Sequence, residues 1–127
     1  MDAKKWAKNF FLASAIYDFV LGLLFLFFYV QIFSYFGIEI PKFPEYLQVS
    51  AAFVATLGIG YFMIYRNIER NRDLWKLGIM YKFVYIFLVS YYYFITQTAN
   101  EIFFWFALID ALFLIPFIGL YKKVYAR

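Results

Sequence analysis

Four long apolar segments account for most of this chain and limit what it can fold into. They cover about residues 9–35, 47–66, 76–95 and 102–121, and short polar connections separate them. A helix of about 20 apolar residues crosses the roughly 30 Å hydrocarbon core of a bilayer. The sequence therefore predicts an all-α, polytopic integral membrane four-helix bundle, with residues 1–127 forming a single transmembrane domain.

The composition supports a membrane location and excludes several kinds of site. Hydrophobic residues make up 66% of the 127 positions and charged residues only 16%, which is too little polar surface to cover a soluble globule. The chain has no Cys and no His, so disulfides and the usual zinc and haem ligand sets are excluded. Walker, dinucleotide-binding, nucleophile-elbow and HExxH motifs are also missing. We expect no metal and no cofactor, and these absences weigh against nucleotide-driven work and ordinary hydrolase chemistry.

The Lys and Arg residues alternate between the two sides of the predicted bundle. Three precede the first segment, one lies in the first connection, four surround the second, none lies in the third and three follow position 121. By the positive-inside rule, both termini and the second connection are cytoplasmic. These residues bracket apolar segments instead of forming a continuous basic stripe, which argues against a nucleic-acid partner. We expect a multi-pass protein of the cell (inner, cytoplasmic) membrane that contacts membrane lipid.

Three ionisable residues, Asp18, Lys82 and Asp110, interrupt the apolar segments. A charge near the middle of a membrane helix costs about 2.5–3.5 kcal/mol on insertion scales, so each calls for a partner, water or a ligand. At 1.5 Å per residue they lie roughly 13, 9 and 17 Å from the cytoplasmic ends of their helices. Antiparallel packing of helices 3 and 4 would let Lys82 reach Asp110, and closing the bundle would bring Asp18 to the same place. A cluster with a net charge of −1 would keep a proton or bind a cation.

A purely structural interpretation of the same charges stays open. In this interpretation Lys82 and Asp110 pair to fix the helix register, while Asp18 reaches water through the cytoplasmic half. In a further alternative, Lys82 has no partner, and its side chain extends towards the cytoplasmic interface through the space left by Gly78, one turn away.

Several neighbouring residues would support such a cluster. Tyr17, Tyr81 and Tyr85 lie within a turn of Asp18 or Lys82 and would complete a hydrogen-bond network. Pro116 removes one helical hydrogen bond, and a kink there would open the bundle towards the cytoplasm.

Two rows of small residues at four-residue spacing would allow close helix contact, within the monomer or between copies, or would line a binding groove. The rows are Ser14, Asp18 and Gly22 on helix 1, and Ala52, Thr56 and Gly60 on helix 2, with Gly58 close by.

Several short motifs follow one another along the chain. These are Tyr17-Asp18, Pro44-Glu45, Gly58-Ile59-Gly60-Tyr61, Gly78 with Lys82, and Asp110 with Pro116-Phe117. In this order the chain resembles a group of small, uncharacterised bacterial four-helix membrane proteins, over most of its length. It is also similar to DoxX-like proteins, in architecture alone. The resemblance implies the four-helix plan and no particular activity.

Three functions are consistent with the sequence. The leading hypothesis is a small membrane protein whose Asp18, Lys82 and Asp110 cluster binds or translocates a proton, cation or cationic amphiphile. Because four helices enclose little space, we expect it to form a homo-oligomer. The alternatives are a membrane-embedded enzyme acting on a lipid or isoprenoid, and an accessory or assembly subunit of a membrane complex.

Different structures would distinguish these functions. An apolar cavity that ends at the three charges and is closed to water favours the enzyme, whereas a wet passage reaching both membrane faces favours transport. An accessory subunit would combine a large exposed apolar face, rich in small residues, with an internally neutralised charge trio.

Overall fold

The computed structural model describes residues 2–125 and contains four helices in that range. All four are long and apolar enough to cross a membrane. The all-helical, four-helix prediction is confirmed for these residues. The helices are α1 (Ala3–Tyr35), α2 (Glu45–Arg66), α3 (Arg72–Phe94) and α4 (Glu101–Tyr125).

The helices extend beyond the apolar segments from which they were predicted. α1 begins at Ala3 because the side chain of Asp2 caps it, its Oδ1 accepting a hydrogen bond of 3.0 Å from the backbone N–H of Lys4. α3 begins at Arg72, and α4 continues through Lys122 and Lys123 to Tyr125. The prediction counted only apolar residues, so it omitted these polar turns.

A Schellman motif ends α1 and reverses the chain. Gly37 has a φ of 68°, which favours glycine, and its N–H donates to the carbonyl of Ser34 at 3.3 Å. The N–H of Ile38 donates to the carbonyl of Phe33 at 2.8 Å, and the Ile38 side chain packs in the apolar cluster that contains Phe33. The chain is thereby directed into the connection that leads to α2.

The four helices form a ring in chain order, in which each packs against its two neighbours. The start of α1, the α2–α3 connection and the end of α4 share one end of the bundle, which we call the terminal end. There Lys4 pairs with Glu69, and the hydroxyl of Tyr125 donates to the carbonyl of Ile68 at 2.5 Å. The other end, which we call the loop end, carries the connections 36–44 and 95–100.

α1 and α2 approach each other closely through two glycines. A Cβ on Gly22 of α1 would lie 2.5 Å from the carbonyl oxygen of Ala51, and one on Gly58 of α2 would lie 2.6 Å from the backbone nitrogen of Phe19. The contact face of α2 therefore contains Ala51, Ala55 and Gly58, all of which are buried.

The expectation that Ala52, Thr56 and Gly60 form the contact face of α2 within the monomer is wrong. Thr56 is exposed, and a Cβ on Gly60 would meet nothing within 4 Å. α2 is apolar on most sides, so the spacing of small residues did not identify the side that faces α1.

Two apolar clusters lie on either side of Asp18 and Asp110 along the bundle. On the terminal side, Phe11, Tyr61, Trp75 and Phe117 are each at most 2% exposed, and we call these four residues the aromatic layer. A second cluster on the loop side includes Phe25, Phe33, Phe103 and Phe106. Along α1 and α4, Asp18 and Asp110 each fall between a residue of the aromatic layer and a residue of the loop-side cluster.

Candidate functional site

A buried ion pair joins α3 to α4. Nζ of Lys82 donates to Oδ1 of Asp110 at 2.9 Å, and the two residues are 0% and 6% exposed. The pairing follows from the short connection between these helices, which makes them antiparallel neighbours. A buried charge without a partner costs several kcal/mol, so each residue of this pair stabilises the buried position of the other.

Aromatic rings surround the ammonium group of Lys82. Its Nζ lies 5.1 Å from the ring centre of Tyr61, 5.2 Å from that of Phe113 and 5.6 Å from that of Phe117. These distances fall in the range of cation–π interactions, which are stronger in desolvated surroundings. The ammonium group is therefore held by one carboxylate and three rings.

Asp18 of α1 lies beside this pair and is not part of it. It is 2% exposed, and among residues 2–125 its Oδ2 has no hydrogen-bond partner. Within the same residues, Lys82 forms an ion pair with Asp110 and none with Asp18. The hydroxyls of Ser14 and Tyr17, also on α1, are likewise buried and unpartnered among the described residues. One side of α1 thus presents three unsatisfied polar groups to the interior.

An apolar cavity of about 110 Å³ meets Asp18 and Asp110. Tyr17, Tyr81 and Tyr85 border it near these carboxylates, and all four helices contribute to its wall. The rest of the wall is formed by Leu21, Gly22, Phe25, Leu47, Ser50, Ala51, Val54, Phe103 and Phe106.

The aromatic layer closes the bundle between the three charges and the terminal end. The rings of Phe11 and Phe117 stack with their centres 4.3 Å apart, and Phe11 meets Trp75 edge-on at 4.6 Å. The indole N–H of Trp75 donates to the carbonyl of Phe117 at 2.9 Å, which ties α3 to α4. Among the residues described, the terminal half, which the sequence predicts to be cytoplasmic, therefore leaves no open path for water to Asp18.

The kink expected at Pro116 is not present in α4. α4 runs as one helix through Pro116, and the next residue, Phe117, is 1% exposed in the aromatic layer. The departure from helical geometry lies instead in α1, at Phe28. The amide of Gln48 donates there to the carbonyl of Leu26 at 3.3 Å, and a side chain inserted into a helical hydrogen-bond ladder is a known cause of kinks.

Lys82 does not snorkel into the space beside Gly78. The ring of Tyr61 fills that space, since a Cβ on Gly78 would lie 2.7 Å from Cε1 of Tyr61. The hydroxyl of Tyr61 lies 3.5 Å from the carbonyl oxygen of Gly78. Gly78 thus makes room for an aromatic ring of α2 and leaves the lysine in the interior.

The tyrosines do not form the expected hydrogen-bond network with the charges. Tyr85 donates to the backbone carbonyl of Phe103 at 3.3 Å, which joins α3 to α4. No hydrogen bond among residues 2–125 connects Tyr17 or Tyr81 with a charged side chain. Tyr17 and Tyr81 are placed as cavity walls beside the carboxylates.

The sequence interpretation missed the residues that enclose the lysine and close the terminal end. Tyr61, Phe113, Phe117 and Trp75 carry no local signal, because the chain contains 19 Phe and 13 Tyr spread along its length. The one usable indication was the spacing of Phe113 and Phe117, which places both within two turns of Asp110 on α4.

No group of His, Cys, Asp or Glu residues in the range 2–125 is arranged to hold a metal ion. Comparison with protein-family models, with curated proteins and with solved structures gives no match for this chain.

Proposed function

We propose that this protein binds a cationic amphiphile, with the charged head of the ligand at Asp18 and the adjoining part of its apolar chain in the cavity beside it. The observation that carries the proposal is the buried, unpartnered Oδ2 of Asp18 beside a cavity with apolar walls. Buried polar atoms nearly always have partners, so an unsatisfied carboxylate oxygen at a cavity indicates a missing partner.

The charge balance of the site favours a cation. Lys82 and Asp110 neutralise each other at 2.9 Å, which leaves Asp18 as the one unmatched charge of the three. A ligand ammonium group would neutralise it and donate to Oδ2, whereas an alcohol or carboxylate of the same length would leave the charge uncompensated or oppose it.

Binding fits the geometry better than passage across the membrane. The aromatic layer separates the charges from the terminal end, and its residues are at most 2% exposed. A wet passage to both faces would need these rings to move apart. We therefore propose a binding protein and not a channel.

We also propose the cell membrane as its location, with both termini in the cytoplasm. The support is the alternation of Lys and Arg between connections together with four helices of spanning length. The row of Ala52, Thr56 and Gly60, in which Thr56 is exposed and the other two are half-buried, is compatible with the homo-oligomer expected from the size of the bundle.

The proposal is tested by measuring thermal stabilisation of the detergent-solubilised protein by n-pentylamine and by 1-pentanol. A ligand that binds only the folded state raises the free energy of unfolding. The increase grows with the logarithm of the ligand concentration once that concentration exceeds Kd. We expect stabilisation by the amine and not by the alcohol. Asp18→Asn should weaken amine binding about tenfold or more, which corresponds to about 1.4 kcal/mol.

The matched control is Glu45→Gln, which removes an exposed carboxylate in the first turn of α2. It should leave amine binding unchanged. Equal stabilisation of the wild type and Asp18→Asn by pentylamine would rule the proposal out.

A second candidate, a membrane enzyme acting on a lipid, is favoured by one observation. The cavity has mostly apolar walls and ends at two carboxylates, which is the arrangement expected for acid–base chemistry on a lipid held in the bilayer. Mass spectrometry of membrane lipids incubated with the wild type or Asp18→Asn distinguishes the two. Turnover that depends on Asp18 supports the enzyme, and bound but unaltered ligand supports the binding protein.

A further inference from the structure

Four contacts between neighbouring helices surround the cavity, and three of them are closed at the level of the cavity. The first closed contact is the one between α1 and α2. Gly22 is part of the cavity wall, and a Cβ on it would lie 2.5 Å from the backbone nitrogen of Ala55. With backbones this close, nothing larger than a hydrogen atom fits between the two helices at this point.

Aromatic side chains close the contact between α1 and α4. The rings of Phe25 and Phe106 meet edge-on with centres 5.7 Å apart, and those of Phe33 and Phe103 meet in the same way at 6.3 Å. Phe25, Phe103 and Phe106 all border the cavity. This side is therefore filled from the carboxylates to the loop end.

Polar contacts and stacking close the contact between α3 and α4. The Lys82–Asp110 ion pair lies at the carboxylate end of the cavity, and the Tyr85 hydroxyl reaches the carbonyl of Phe103 nearer the loop end. Beyond it, the rings of Tyr93 and Phe104 stack at 4.5 Å.

The contact between α2 and α3 is different. These helices meet near the terminal end, where the ring of Tyr61 lies beside Gly78 and under Nζ of Lys82. At the level of the cavity, α2 contributes Leu47, Ser50 and Val54 and α3 contributes Tyr81 and Tyr85. Among the residues described, no hydrogen bond joins these two sets, and the Tyr85 hydroxyl donates to Phe103 of α4 instead. Ser50 borders the cavity and is nevertheless exposed.

We infer that the cavity opens sideways to the hydrocarbon of the bilayer between α2 and α3, and that its ligand is a long-chain amine whose tail leaves through this opening. The inference rests on the proposed function and names the class of its ligand. Ser50 forms the rim of the opening, on the half of the bundle nearer the loop end.

The size of the cavity requires such an exit for a long chain. Its volume of about 110 Å³ is smaller than an apolar cavity of about 150 Å³ that accommodates benzene. The amine head and the first few carbons fill it, and the remaining carbons need another place. Lipid tails are as apolar as a leucine side chain, so a tail that emerges between α2 and α3 costs nothing in solvation.

The experiment blocks the opening and compares two amines in lipid nanodiscs. Ser50→Trp places a large ring at the rim, and Val49→Trp places the same ring on the neighbouring position, which is 51% exposed and does not border the cavity. Binding of n-pentylamine and of dodecylamine is measured by calorimetry, with empty nanodiscs as the blank for partition into lipid.

We expect Ser50→Trp to weaken dodecylamine binding about tenfold more than it weakens pentylamine binding, because only the long amine has a tail that must pass the ring at the rim. Val49→Trp should alter neither. Should the Ser50→Trp protein be recovered unfolded, as judged by its circular dichroism, Ser50→Phe replaces it with the same expectations.

Two results would overturn the inference. One is unchanged dodecylamine binding in the Ser50 variant, and the other is an equal loss for the short and the long amine. Neither touches the proposed function, which fails separately if pentylamine binding survives Asp18→Asn.

Discussion

Nζ of Lys82 lies 2.9 Å from Oδ1 of Asp110, and the pair is almost completely withdrawn from solvent. This ion pair explains why Asp18 forms no ion pair among the described residues. Since the buried ammonium group of Lys82 is bound to Asp110, Asp18 is left at a cavity with an oxygen that has no partner among residues 2–125.

Removing one member of the ion pair should be far more harmful than removing both. Lys82→Met leaves Asp110 buried and unpaired, and we expect a loss of about 3–5 kcal/mol in the free energy of unfolding. The double variant Lys82→Met/Asp110→Leu should recover most of this loss, because it leaves no buried charge at these two positions. Unfolding in mixed micelles measures both effects.

The control for the Lys82 and Asp110 variants is Lys76→Met. Lys76 faces Asp73 across 4.0 Å with both side chains exposed, so its replacement should not measurably change stability. A double variant no more stable than Lys82→Met alone would contradict the role of the pair.

The two glycines between α1 and α2 should tolerate no side chain. We expect Gly22→Ala and Gly58→Ala each to cost about 1–3 kcal/mol, because the added Cβ would meet backbone atoms at 2.5 and 2.6 Å, which flexible side chains cannot relieve. The same unfolding assay measures the cost.

Gly60→Ala is the matched control on α2. A Cβ there meets nothing within 4 Å, and alanine favours helix over glycine, so stability should stay the same or rise slightly. Similar losses at Gly58 and Gly60 would mean that α1 does not pack on the face described.

The indole N–H of Trp75 should contribute measurably to the closure of the terminal end. Trp75→Phe removes the hydrogen bond of 2.9 Å to the carbonyl of Phe117, and we expect a loss of about 1 kcal/mol or more, since the cavity left by the smaller ring adds to it. Trp105→Phe changes a residue that is 56% exposed and should have little effect. Equal effects of the two substitutions would argue against the closure.

The orientation in the membrane is accessible to cysteine labelling, because the chain contains no Cys. A cysteine at Gln97, in the α3–α4 connection, should react with a membrane-impermeant thiol reagent added outside intact cells. A cysteine at Arg70, in the α2–α3 connection, should react only after the cells are opened. The reverse pattern would place the termini outside.

Much of the fold was predictable because helices that are long and apolar can be recognised in a sequence. The helix ends were predicted to within four residues except at the start of α1, which lies six residues before the predicted position, and the differences at Ala3 and Tyr125 come from polar turns that an apolar count ignores. The three charged residues were conspicuous for the same reason. Their proximity followed from depth and from antiparallel neighbours, but depth does not identify which carboxylate binds the lysine.

Side-chain contacts were much less predictable. In a soluble helix the apolar side marks the core, whereas these helices are apolar on most sides, so Gly58 and Gly60 are equivalent in the sequence and opposite in the structure. The same holds for Phe117, which is buried, and Ile115, which is 70% exposed.

By itself, the sequence determined four helices long and apolar enough to cross a membrane, and three charges too costly to bury alone. The tertiary structure decided that Asp110 binds Lys82, that Tyr61 occupies the space at Gly78, and that Asp18 borders a cavity. The physical reason is that apolarity and length are summed along one helix, whereas a partner, a cavity and an opening depend on how four helices are rotated against one another.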